Sequence, residues 1–326
     1  MVNVVELLGL PAIEEELLRL EPLLTECVIT GDGFLDEVTT HLIAAGGKRL
    51  RPALSLASAT AGTAPASREA LLGGVAVELV HLASLYHDDV MDEATMRRNV
   101  ESVNSRFGNL VAIVAGDFLL ARSAEIAAGL GTEIAGLLAA TLGELCQGQV
   151  AEVRAAFQVT RTAQDYTTAI SGKTASLMAT SCRIGALTGQ RPRDEVEALT
   201  AFGNYFGMIF QVRDDILDII GSEDELGKPP GQDLAEGIYT LPVLFALADP
   251  DAGPELRPLL GAPLGHPERD KARSIVAAST GIAASVAVGR RYADEAAAAA
   301  AGCLSAQLGA GFERLAYSLL DGLPTV

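Results

Sequence analysis

Positive charge is scarce in this chain: 24 Lys and Arg stand against 42 Asp and Glu among 326 residues, a formal net charge of −18. That balance argues against nucleic acid and anionic membrane surfaces as partners, because both would repel the chain. Any local basic cluster is therefore informative. Cysteine is scarce as well. Cys27, Cys146, Cys182 and Cys303 are scattered, with no C-x-x-C and no histidine at zinc-finger spacing. This leaves neither a disulfide frame nor a structural zinc site, and it fits a reducing cytoplasm. No apolar run reaches the ~20 residues of a membrane span, so stable membrane insertion is not expected. The N-terminal stretch Met1 to Leu10 carries Glu6 and no basic region, unlike a signal peptide, and the Leu-Pro-Thr-Val end is not a prenylation box. Alternating, strand-like runs are also few. Helix-period patterns rich in Ala and Leu run almost end to end, and 49% hydrophobic residues suffice for a large core. One all-α domain over residues 1–326 is the expected architecture.

The helices can be placed coarsely. An opening helix is expected from about Ile13 to Val28. Gly31-Asp32-Gly33 breaks before a second helix, which ends at Gly46-Gly47. Thr63 to Ser67 reads as a short turn, and Gly189 to Asp194 separates two later helices. Gly221 to Gly237 is a long polar loop placed to close over a site, and Asp249 to Pro267 reads as a surface connection.

Two copies of one acidic signature stand far apart: Asp88-Asp89-Val90-Met91-Asp92 and Asp214-Asp215-Ile216-Leu217-Asp218. At ~6% Asp, one chance D-D-x-x-D occurs in roughly 7% of chains this long and two in well under ~1%, so the pair is a signal. Each motif follows an apolar helical stripe: Val75, Leu79, Leu82 and Tyr86 before the first, Phe202, Phe206, Ile209 and Val212 before the second. On a helix, i and i+4 share a face and i+1 flanks it, so each carboxylate trio gathers on one rim. Like charges so placed repel, and a cation relieves them. Oxygen-only ligands favour a hard ion, and Mg²⁺ usually takes one or two carboxylates plus substrate phosphates. Two such rims facing each other would hold a diphosphate between metal ions.

The basic groups fit an anion. Gly46-Gly47-Lys48-Arg49-Leu50-Arg51-Pro52 packs three cations into four positions where one helix ends and another begins. Arg97-Arg98 follows the first acidic motif. His81, Ser84, Leu85, Asp88 and Asp92 form one helical stripe, although a lone histidine on such a face is more often a core residue. Gly172-Lys173-Thr174 is like the tail of a nucleotide-binding P-loop, but Thr167 occupies the leading glycine position and the flanks are helical. A Lys-Thr pair facing a diphosphate is the better reading. Gln211 shares a face with Asp214, Asp215 and Asp218, where its amide oxygen can face a developing cation. Lys228 opens the Gly/Pro loop that follows.

Together these residues resemble the trans-isoprenyl diphosphate synthase family, the chain-elongating polyprenyl synthases, of the bacterial long-chain type. The matches run in family order through GGKRLRP (46–52), HDDVMD (87–92), RR (97–98), GD (116–117), GKT (172–174), QVRDDILD (211–218), GKPPGQDL (227–234) and TLP (240–242). The resemblance implies an all-helical bundle around a deep central cavity, a homodimer, and three Mg²⁺ per site. Asp88, Asp89, Asp92, Asp214, Asp215 and Asp218 would hold Mg²⁺ on an allylic diphosphate, with Arg97, Lys173 and Lys228 on the same diphosphate. Lys48, Arg51, His81 and Arg98 would bind isopentenyl diphosphate, and Thr174 and Gln211 would lie near the allylic carbocation. Two positions depart from the family. Asn99 stands where glycine is usual, which puts the turn aiming Arg98 in question, and Ile238 stands where many relatives have lysine.

The implied reaction is ionisation of the allylic diphosphate, attack by the isopentenyl double bond and loss of a proton to the departed pyrophosphate. Short-chain relatives block the cavity with an aromatic residue four or five positions before the first aspartate. Here Ser84 and Ala83 stand there, with Val80 and Val77 deeper, so a product above twenty carbons is expected unless a floor comes from another helix, for example through Phe118 or Phe157. A short-chain (farnesyl or geranylgeranyl) synthase, a class I terpene cyclase and a non-catalytic subunit of a heteromeric synthase are the competing readings. A cyclase needs no GGKRLRP cluster, and a non-catalytic chain has no need of all six aspartates.

Overall fold

The computed structural model describes residues 4–10, 12–61, 65–223, 229–302 and 304–324, so Lys228 and Cys303 lie outside the described residues. The fold is all-α, as the composition implied. Among the described residues the only strands are β1 (Met96–Arg97) and β2 (Val100–Glu101), a two-residue ladder.

The two acidic motifs sit at the C-terminal ends of two long core helices, α5 (Arg68–Met91) and α11 (Arg193–Ile220). Ser67 starts α5 as its N-cap, its hydroxyl accepting from the Ala70 amide at 3.1 Å. Asp194 and Glu195 in the first turn of α11 suit the positive end of its dipole. Both apolar stripes are buried: Val75, Leu79, Leu82 and Tyr86 on α5, Phe202, Phe206, Ile209 and Val212 on α11. Each such side chain contributes roughly 1.5–3 kcal/mol of transfer free energy. Helix α10 (Ser176–Thr188) touches both α5 and α11, and α8 (Thr132–Ala155) packs on α10 and on α7 (Asn109–Leu130). The α11 stripe continues from the main apolar cluster into a second one through Ile216 and Ile219, which ties the two together.

The boundaries differ in detail. The opening helix runs Ala12–Glu26 and a short helix, Val4–Leu8, precedes it. Asp32 caps the next helix, Gly33–Ala44, by accepting from the Phe34 and Leu35 amides at 3.0 Å. Arg193 and Asp194, expected in a loop, already belong to α11. The stretch expected to be an irregular surface connection contains a helix, Ala252–Leu256, and a 3₁₀ turn, Arg257–Leu259. The loop after the second motif contains a single turn of helix, Gln232–Ala235.

Helix α5 is long and apolar enough to cross a membrane by length and composition, yet 72% of its apolar window is buried inside the fold. It is the central core helix, and it carries the buried Glu78 and Asp89.

Candidate active site

A cavity of about 560 Å³ opens beside the C-terminal half of α5. Of the residues singled out by sequence, Arg51, Val80, His81, Ser84, Asp88, Lys173 and Thr174 line it. Its remaining wall is largely aliphatic, with Leu85, Leu120, Leu142 and Leu145. Polar groups, His87, Asp117 and Gln149 among them, thus share the wall with an apolar lining.

Lys173 and Thr174 are aimed by a feature that sequence reasoning missed. Residues Ser171–Ala175 form a π turn between α9 (Ala163–Ile170) and α10, in place of a P-loop. Glycines allow helices to close on this turn from two sides. A Cβ at Gly148 of α8 would stand 2.8 Å from the Ala169 carbonyl oxygen, and one at Gly207 of α11 would stand 2.5 Å from the Ala175 Cα. From this clamp Lys173 Nζ donates to Glu152 Oε2 and faces Asp88 and Asp92. Thr174 Oγ1 donates to Gln211 Oε1 at 2.9 Å, Gln211 Nε2 donates to Asp215 Oδ1 at 2.9 Å, and the Tyr166 hydroxyl donates to Asp215 Oδ2. The π turn thus stands between the two acidic motifs, its lysine toward the first and its threonine toward the second. We expect Gly148→Ala to cost ~1–3 kcal/mol by overpacking and to displace Lys173. Gly143→Ala on the same helix, where nothing lies within 4 Å of the added Cβ, serves as the neutral control. Thermal midpoints and turnover of the two variants check this.

The six aspartates do not share one environment. Asp88 lines the cavity, and its carboxyl is pushed up to about 6 by burial and the neighbouring Asp92, with Lys173 pulling it back. Asp92 caps α5 and is raised by burial while Lys173 lowers it. Asp89 turns away from the cavity into the protein. Arg97 clasps it with Nε at 2.8 Å and Nη2 at 2.5 Å from the same oxygen, and Asn104 Nδ2 donates to its carbonyl at 3.0 Å. The three carboxylates therefore do not gather on one rim, because Asp89 lies 100° round the helix from Asp88. Asp215 is likewise enclosed and its carboxyl is raised well above the usual range by burial, then by Asp233; Asp218 is buried beside it and Asp214 is exposed. Among the described residues no three His, Cys, Asp or Glu side chains converge closely enough to hold an ion by themselves.

A second polar group lies around α5 one to three turns before Asp88. His81 and Arg51 line the cavity. Burial, then the charges of Arg51 and Arg98, hold the His81 imidazole well below its usual pKa, so it is neutral at pH 7. Burial brings the Arg51 guanidinium down to about 10, still fully charged. Lys48 is exposed on the loop before α4 (Leu50–Thr60) and does not line the cavity. Arg98 occupies a turn with Asn99. Because Arg97 pairs with Val100 across the ladder, the loop is two residues long, and both have positive φ, 53° and 63°. Asparagine tolerates that left-handed conformation better than other non-glycine residues, so the turn in question forms without the usual glycine. The Ile238 amide donates to the Asp233 carbonyl at 2.8 Å, and its side chain is half-buried away from the cavity wall.

Ala83 is a correction. Val80 and Ser84 line the cavity, but Ala83 does not and is fully buried in the main apolar cluster. Neither Phe118 nor Phe157 lines the cavity; Phe118 packs on the main cluster and Phe157 against Gly237.

Residues 32–278 match the polyprenyl synthetase family, three quarters of the chain. The chain belongs to that family. This polyprenyl synthetase is a prenyltransferase. It is 38% identical over 289 residues to the nonaprenyl diphosphate synthase of Mycobacterium tuberculosis, covering 87% of this chain and 86% of the relative. It is 43% identical over 241 residues to heptaprenyl diphosphate synthase component 2 of Geobacillus stearothermophilus, covering 74% and 73%. Its fold superposes with a TM-score of 0.85 on a geranylgeranyl pyrophosphate synthase of Corynebacterium glutamicum, crystallised with calcium and isoprenyl diphosphate, at 36% identity and 96% coverage of both chains.

Proposed function

We propose that the chain condenses isopentenyl diphosphate with an allylic diphosphate, in a Mg²⁺-dependent reaction, to give a trans-polyprenyl diphosphate longer than twenty carbons. The observation that carries this reading is the cavity itself. It joins an acidic-basic pole (Asp88, Lys173, Thr174), a second pole around Arg51 and neutral His81, and a largely aliphatic wall in one space. Two diphosphates need two poles, and a growing prenyl tail needs the aliphatic wall.

The donor set fits Mg²⁺. Asp88, held near 6 by burial and like charge, gains from a hard cation, and two-carboxylate rims without a complete ligand cage suit an ion that also binds substrate phosphates. Asp88 and Asp92 would hold it on one side and Asp214 and Asp218 on the other, three ions in all; Asp89 and Asp215 then serve to fix Arg97 and Gln211. Bound Mg²⁺ supplies charge neutralisation for the departing pyrophosphate. Lys173 and Arg97 add cationic donors as the allylic C–O bond breaks. Thr174, on the cavity wall, turns its hydroxyl oxygen toward the resulting cation, its proton held by Gln211, which Asp215 and Tyr166 fix in turn. The isopentenyl double bond then forms the new C–C bond, and the proton it sheds passes to pyrophosphate. The aliphatic wall excludes the water that would quench the cation.

Chain length follows from Ser84 and Val80. Both are small, on the cavity wall and one turn apart, which is ~5.4 Å of open path. Val80 marks the end of that path, since with Val77 it packs into one buried cluster with Ile134, Leu138, Leu177 and Ile184. Ser84→Phe is therefore expected to shorten the product distribution with condensation retained. Ala83→Phe should lower stability by overpacking and leave chain length unchanged. Product chromatography of the two variants under excess isopentenyl diphosphate separates these outcomes, and equal shortening by both would overturn the assignment.

A homodimer is supported by α7 and α8, which expose Leu110 (75%), Val114 and Val153 outside the cavity wall. Free Cys27, Cys146 and Cys182 suit a cytoplasmic setting. Incubating the purified chain alone with Mg²⁺, an allylic diphosphate and isopentenyl diphosphate, with its native mass measured, tests the whole reading. Cyclic product, or activity only after adding a second polypeptide, would favour the competing cyclase or heteromeric-subunit readings.

A further inference from the structure

Two arginines with left-handed backbones converge on one buried carboxylate. Arg49, at φ 45°, stands at the N-cap of α4, and Arg98, at φ 53°, stands in the β1–β2 turn. Left-handed geometry is unfavourable for arginine, and it persists only where the surroundings over-determine it. Glu78 on α5, 1% exposed, supplies that constraint. Its Oε1 accepts from Arg49 Nη1 at 3.0 Å and lies 3.9 Å from Arg98 Nη2. Both arginines have further partners, and Arg98 makes its hydrogen bonds through Nη1. Arg49 also binds Glu21 at 2.6 and 3.0 Å and the Ile43 carbonyl at 3.2 Å; Arg98 binds the Leu42 carbonyl at 3.1 Å and the Gly46 carbonyl. Gly47 is part of the same joint, since a Cβ there would stand 2.8 Å from the Arg98 guanidinium.

Arg51 differs. It lines the cavity, Glu78 acts on it as a favourable charge, and its buried Nε has no hydrogen-bond partner among the described residues. Three guanidinium groups thus crowd against one carboxylate, with a fourth basic residue, Lys48, on the loop that Arg49 and Arg98 hold. Without Glu78 the guanidinium groups repel one another, and the hairpin and the Gly46–Arg51 loop lose the α5 carboxylate they share, leaving the Arg98 bonds to the Leu42 and Gly46 carbonyls as their direct link. We propose that Glu78 is a positioning residue for the basic pole: it holds Arg98 and the Gly46–Arg51 loop in the shape that grips the second diphosphate. This rests on assigning that pole to isopentenyl diphosphate.

Plain electrostatics makes the opposite forecast. Removing a negative charge beside an anion site should tighten anion binding, whereas losing the carboxylate that orders three cations should weaken it. Glu78→Gln keeps the size of the side chain and separates the two effects. The expected result is an isopentenyl diphosphate KM raised at least tenfold, with the KM for the allylic diphosphate and its slow hydrolysis in the absence of isopentenyl diphosphate within twofold of wild type. Glu78→Asp, which keeps the charge, should recover part of the loss, and it replaces the glutamine variant if that one fails to fold. Glu78→Gln combined with Arg98→Lys should be non-additive, which a general loss of stability would not produce. An unchanged or lowered isopentenyl diphosphate KM in both Glu78 variants overturns the proposal. Failure of the wild type to show saturable use of isopentenyl diphosphate would overturn the substrate assignment instead.

Discussion

Asp88→Ala is expected to lower turnover by about a thousandfold while the fold survives. Asp88 is the one carboxylate of the first motif that lines the cavity, opposite Lys173 and adjacent to Asp92. In the proposed reaction its loss removes a metal ligand at the point where charge develops on pyrophosphate, the kind of contact whose deletion costs 10²–10³ or more. Stability should move the other way. The folded carboxyl is raised to about 6, so the folded chain holds its proton more tightly than the unfolded chain does. Ionising Asp88 therefore destabilises the metal-free fold progressively as pH rises from the usual carboxylate range through about 6. At pH 7 the alanine variant escapes a cost on the order of 1–3 kcal/mol, and its metal-free thermal midpoint should equal or exceed that of wild type. The same shift predicts weaker Mg²⁺ binding below pH 6, by up to about tenfold per unit, because a protonated carboxyl cannot ligate. Near-normal turnover in Asp88→Ala, with unchanged melting, would sink the metal-clamp reading.

Lys173→Ala should cost about a hundredfold in turnover, and the loss should fall on the allylic partner. Lys173 is the cation between Glu152 and the Asp88–Asp92 pair; burial alone would lower its pKa, and these acids reverse the direction. Its removal leaves three acids facing one another and takes a charge-assisted donor from the leaving group, worth about 1.5–3 kcal/mol in the ground state and more as charge develops. Lys48→Ala, by contrast, removes an exposed loop cation outside the cavity wall and should mainly raise the isopentenyl diphosphate KM, by about tenfold. Direct binding of each substrate to both variants decides the matter. Equal loss of the same substrate would mean that the two poles are not separate.

Periodicity and motif spacing alone were enough for the all-helical fold, for the placement of both acidic motifs at the ends of apolar helices, and for the rejection of a P-loop at Gly172-Lys173-Thr174. These properties repeat along the chain, and the 3.6-residue period exposes them. Which face of a helix meets the cavity is not written locally, because neighbouring positions differ by 100° and both faces of α5 are apolar. Hence only the tertiary structure sent Asp89 back to Arg97, turned Ala83 into the core beside cavity-lining Ser84, and enclosed Asp215 with Tyr166, 49 residues away. The π turn depends on glycines at 148 and 207 meeting it from two other helices, a coincidence in space with no signature in sequence. Glu78 was equally hidden. Nothing local in the apolar run around it shows that Arg49, Arg51 and Arg98 come round it. Local pattern determined what the helices are and where their charges stand in the chain; long-range packing decided which charges face each other, because an ion pair is made by distance in space and not by spacing in sequence.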